Sequence, residues 1–207
     1  MEMDGKTMFQ QLMACVERHR LPVAAERVAE LELKCESLEA MDMLFLLPDM
    51  LCELFPEIAI THVDEYESSP EEIYPVLFDS YCELTGGAFE PQNVEFVQVD
   101  GVDDVGDEED EEDEEDEDGE GDGADLELRF TWQGQAQQLL LRGADCNGFY
   151  SMSLADELNK FAEAHLAGRW LVIEGLEDCD YTGIYLPVAA YAELDKMVKD
   201  WLESLDE

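Results

Sequence analysis

Between Thr7 and Phe55 apolar residues recur at helical spacing, as at Met8, Phe9, Leu12, Cys15 and Val16, which predicts a helical N-terminal region. Pro22 suits the first position of a second helix, with Ala25, Val28, Ala29, Leu31 and Leu38 along its buried face. A third helix is expected from about Glu39 to Pro48 or Pro56. The next start signal is sharper. Ser69-Pro70-Glu71-Glu72 offers a capping hydroxyl, a proline at the first helical position and two carboxylates facing the positive end of the helix dipole. Ile73, Val76, Leu77, Tyr81 and Leu84 then form one apolar face, and Gly86-Gly87 stops the helix.

The period then changes. Asn93 to Val99 reads as a strand. Leu126, Leu128, Phe130 and Trp132 alternate with polar residues, Gln133-Gly134 supplies a turn, and Gln135 to Arg142 returns as the second arm of a hairpin. Ser153-Leu154-Ala155-Asp156 resembles a capping box, followed by a buried stripe of Leu154, Leu158, Phe161 and Ala162. Arg169 to Glu174 and Gly183 to Leu186 read as further strands, with Trp132 and Trp170 assigned to the core. Pro187 opens a last helix whose Val188, Tyr191, Leu194, Val198, Trp201 and Leu202 are expected to face inward. The expected fold is α+β, a helical N-terminal region (1–65) followed by a small sheet with helices packed on it (66–207). Residues 103–124 interrupt the sheet as a solvated, disordered acidic insertion between its first and second strands.

Charge changes this picture from a plain fold to a question about partners. The chain holds 54 Asp and Glu against 11 Lys and Arg, a net charge of −43. No base lies between Lys34 and Arg129, where 34 acids occur. The run Asp103 to Asp122 contributes 16 of the acids, yet the 38 acids and 11 bases outside it still leave −27. Such a surface disfavours nucleic acid and anionic membranes, because phosphate contacts need Lys or Arg to displace counterions. It favours a basic protein. The N-terminal residues lack the basic and apolar regions of a secretory signal, and no apolar run reaches the roughly 18 residues that cross a bilayer, so a cytoplasmic protein is expected.

Little in the chain suggests catalysis. Asp116, Asp118, Glu120, Gly121 and Glu127 match EF-hand loop positions, but Gly123 stands where an apolar residue belongs and no amphipathic helix precedes. In so acidic a tract, a chance match is the better reading. His19, His62 and His165 are read as surface or capping residues without a second ligand at i+3 or i+4, so no metal site is expected. The six cysteines form no Cys-x-x-Cys and read as reduced thiols, several of them buried. No nucleophile elbow, phosphate loop or His-Glu-x-x-His is present, so no enzyme activity and no cofactor are expected.

Acids and aromatics interleave at Asp64-Glu65-Tyr66-Glu67 and at Glu177-Asp178-Cys179-Asp180-Tyr181. Carboxylates that steer a cationic partner, beside aromatics that anchor it, are the chemistry of a capture surface. Asp64, Glu65, Tyr66, Glu67, Glu177, Asp178, Asp180 and Tyr181 are therefore the candidate partner-binding residues. The bland reading for each segment is a solvated loop whose tyrosine turns back onto its own domain.

Tyr74-Pro75, Leu84-Thr85-Gly86-Gly87, Gly148-Phe149-Tyr150, the segment Leu154 to Phe161, and Tyr185-Leu186-Pro187 before a closing helix resemble bacterial immunity proteins of polymorphic and contact-dependent toxins. The resemblance covers roughly the C-terminal 130 residues. It implies a cytosolic, non-catalytic inhibitor that plugs the active site of a cognate toxin, often a basic nuclease. The acidic run and the helical N-terminal region depart from that pattern. The alternative is an acidic chaperone or DNA mimic that shields basic proteins non-selectively. High charge also serves solubility in salt-adapted proteins.

Overall fold

A computed structural model describes residues 4–63, 70–99, 125–141, 150–174 and 180–204. Asp4 caps the first helix, α1 (Gly5–His19), by accepting a 2.8 Å hydrogen bond from the Thr7 amide, and Arg20 closes it in the left-handed conformation. Two more helices follow, α2 (Ala25–Cys35) and α3 (Ala40–Leu54). Pro22 does not open α2, which starts three residues later. Pro48 does not end α3. Met50, Leu51 and Leu54 beyond it are fully buried, and that burial offsets the cost of a proline inside a helix.

A strand that the apolar pattern does not announce comes next, β1 (Ala59–Val63), then α4 (Pro70–Leu84) and β2 (Gln92–Val99). β3 (Asp125–Trp132) and β4 (Gln135–Leu141) form the expected hairpin, its turn made by Gln133 and Gly134, both with positive φ. The chain closes with α5 (Tyr150–His165), β5 (Gly168–Glu174), β6 (Asp180–Pro187) and α6 (Val188–Glu203). α5 begins at Tyr150, so Ser153 lies inside the helix and is not its cap.

The fold is α+β, but its strands form two antiparallel three-stranded sheets, ordered β1-β6-β5 and β2-β3-β4. Val99 pairs with Asp125, so the acidic run joins the ends of neighbouring strands, as expected of an insertion. Residues 103–124 themselves lie outside the described residues.

Alternation along β5 explains the layering. Leu171 and Ile173 join Ile184 and Leu186 of β6 in a core shared with α1, α2, α3 and α6. Trp170 points the other way, into a second core with α4, α5 and the β2-β3-β4 sheet. Helices α4 and α5 are thus held between the two sheets. Phe89 sits at the centre of that second core, with the rings of Phe78, Phe130, Trp132, Phe161 and Trp170 at centroid distances from 5.4 to 6.3 Å. The Trp170 indole donates to the Tyr81 carbonyl at 2.9 Å, tying β5 to the last turn of α4.

The segment before residue 66 is not separate from the rest, since β1 pairs along β6 and the first three helices share their core with α6. Val76, Val188 and Leu202, expected to face inward, are exposed, at 65%, 45% and 44%. Among the described residues no helix is long and apolar enough to cross a membrane.

Candidate functional site

The two acid-aromatic segments leave neighbouring strand ends. Val63, the last residue of β1, is the register partner of Asp180, the first of β6. In the sequence, Asp64 to Glu67 follow the one, and Glu177 and Asp178 precede the other. Asp64, Glu65, Tyr66, Glu67, Glu177 and Asp178 lie outside the described residues, and Asp180 is described through its backbone alone. Tyr181 requires a correction. It is fully buried, on the central strand β6, and so does not serve as a surface anchor. Strand alternation puts it on the face it shares with Gly183, where an added Cβ would stand 2.9 Å from the Tyr81 ring of α4.

Exposed apolar surface lies instead beside the free edge of β5. Among the described residues, order β1-β6-β5 leaves β5 with one unpaired side, and a cleft of about 410 Å³ runs between it and helices α5 and α6. Met152 from the first turn of α5 and Leu202 from the last turn of α6 line it, at 39% and 44% exposure, with Val172 and Tyr191. Asn159 of α5 stands in for a neighbouring strand there. Its amide nitrogen donates to the Trp170 carbonyl at 2.7 Å, and its oxygen accepts from the Trp170 amide at 2.9 Å. Because backbone groups alternate sides along a strand, Val172 directs its amide and carbonyl to the same side, toward the cleft.

The rim of the cleft is charged. Lys199 donates to Asp195 at 2.8 Å, and that bond holds its ammonium above the usual lysine range. Burial, helped by the charge of Asp195, pushes the Tyr191 hydroxyl up, so it stays a neutral donor. Asp156 adds a further carboxylate. Such a site can take an apolar side chain flanked by a cation. Neither Met152 nor Leu202 was legible as a site residue, because their exposure depends on how far two helices stand apart across a strand edge.

The bases of the molecule are largely committed. Lys6 pairs with Glu36, Arg18 with Glu193, Arg27 with Glu30 and Glu53, Arg129 with Glu127, Lys160 with Glu157, Lys196 with Asp200 and Lys199 with Asp195. Arg169 instead donates to the Ala162 and Gly168 carbonyls, satisfying the end of α5. Most carboxylates are therefore left to solvent or to a partner. Cys15 and Cys35 are buried free thiols, as expected, and burial pushes Cys15 up to about 11. No family model, no characterised protein and no solved structure matches this chain.

Proposed function

We propose that this chain is a non-catalytic acidic binding protein that captures a basic protein. In its sharper form it acts as an immunity-type inhibitor that occupies the cationic cleft of a nuclease-like toxin. The observation that carries the reading is that, among the described residues, seven of the chain's few bases are already committed to internal ion pairs, on a chain of net charge −43. Two acidic stretches of the sequence begin next to the paired residues Val63 and Asp180, which supports a localised contact over a diffuse one. Carboxylates would take the place of phosphates and accelerate encounter, while the cleft would receive an apolar side chain of the partner.

The test is binding kinetics against a basic nuclease-like toxin domain, with polylysine as the unselective cation. The reading expects tight binding to the basic domain and an association rate that falls steeply with added salt. Replacing Asp64, Glu65, Glu67, Glu177, Asp178 and Asp180 with their amides should slow association by about 10-fold or more. Absence of a complex with either cation at low ionic strength would overturn it. The 16 acids of Asp103 to Asp122 favour a second reading, non-selective shielding of basic proteins. Deleting that run separates the two: selective binding survives under the first, and binding to both probes collapses under the second.

A further inference from the structure

Helices α1 and α6 lie side by side and antiparallel. Gln11 accepts from the Trp201 indole at 2.8 Å, and about two turns further along α1 both Arg18 and His19 reach Glu193. Cys15 and His19, at i and i+4, share one face of α1, and that face meets Glu193. The Cys15 sulfur, a His19 ring nitrogen and a Glu193 carboxylate oxygen all lie within 4.8 Å of one another. Among the described residues this is the one cluster of its kind. No local spacing marks the whole cluster, because Cys15 lies four positions before His19 but Glu193 is 174 positions away.

We propose that Cys15, His19 and Glu193 form a binding site for a borderline transition-metal dication of the zinc class. Thiolate, imidazole and carboxylate are a donor set suited to zinc or cobalt(II), whereas calcium and magnesium take oxygen alone. Ligand bonds of 2.0 to 2.3 Å in a tetrahedron set donor separations of roughly 3.3 to 3.7 Å, which the 4.8 Å cluster reaches by small side-chain adjustments. His19 Nε2 and Glu193 Oε2 are 2.8 Å apart, so they part slightly to admit the ion.

The surroundings fit. Arg18 pairs with Oε1 of Glu193, leaving Oε2 for the ion and holding the carboxylate in orientation. Cys15 is buried while His19 and Glu193 are partly exposed, so the ion has apolar backing and a route in. A surface recess lined by Arg18 and Glu193 adjoins the site, giving room for a water as fourth ligand. On binding, the thiol loses its proton to solvent and the ion cross-links the first helix to the last.

Metal titration of the full-length, reduced, chelator-treated protein tests this. Cobalt(II) should bind one per chain, with a near-ultraviolet sulfur-to-cobalt band and visible bands of tetrahedral intensity, both erased by one equivalent of zinc. Cys15→Ser should abolish the sulfur band. His19→Gln and Glu193→Gln, at partly exposed positions that leave the core intact, should each weaken zinc binding by at least about 10-fold. The proposal is overturned if cobalt binds without a sulfur band, the pattern expected of the acidic run alone. Persistence of that band in Cys15→Ser, or wild-type zinc affinity in both other variants, would sink it equally.

Discussion

Asn159→Ala measures what a single side chain contributes at the open edge of β5. Asn159 makes one hydrogen bond to each backbone group of Trp170, at 2.7 and 2.9 Å. Each is worth about 1 kcal/mol net, and a buried group left without a partner costs a further 1–3 kcal/mol. The adjoining cleft lets water reach the freed amide and carbonyl, so the lower end applies and the expected loss is about 2 kcal/mol. For a chain of this size that is a fall in Tm of about 4–8 °C. Urea unfolding followed by Trp fluorescence gives the stability, and hydrogen exchange at the Trp170 amide locates the effect. Asn159→Asp keeps an acceptor for the amide but turns an anionic oxygen on the Trp170 carbonyl, so it should cost at least as much. A stability within about 0.5 kcal/mol of wild type, with unchanged exchange at Trp170, would refute the assignment of Asn159 as the guard of this edge.

Two other perturbations probe different layers. Gly168→Ala should destabilise by about 3 kcal/mol in the same urea assay, because its Cβ would stand 2.6 Å from the Leu186 carbonyl of the paired strand and 2.5 Å from the Tyr185 ring; unchanged stability would mean that β5 and β6 can separate there. The Thr7 side chain and then its amide, by hydrogen bonding to Asp4, hold that carboxyl below its usual range. A depressed folded-state value means stability that is present above the unfolded value of 3.8 and lost as pH falls through the folded one. The stability difference between wild type and Asp4→Ala should therefore be full at neutral pH and shrink below about pH 4, and a difference independent of pH would rule out the charged cap.

Helices and the hairpin were legible from sequence because their signals are local. The stripe through Met8, Phe9, Leu12 and Cys15, and the alternation ending in Gln133-Gly134, are set by residues within one or two turns of each other. The placement of the acidic run between two strands was legible for the same reason, since apolar alternation stops at Val99 and resumes at Leu126. β1 was not. Five residues, Ala59 to Val63, form a strand because β6, some 120 positions away, offers it an edge, and no local pattern encodes that pairing. The same holds for the division into two sheets, whereas the burial of Tyr181 agrees with the bland reading of its segment, a tyrosine turned back onto its own domain.

Of the candidate site, the sequence by itself determined the charge and the acidic segments, because composition survives any fold. Only the tertiary structure decided that those segments leave register partners Val63 and Asp180, that β5 has a free edge guarded by Asn159, and that Cys15 and His19 face Glu193. Each of these is a distance between residues far apart along the chain. Such distances follow from which apolar faces are buried against one another, which is a property of the whole core and of no single segment.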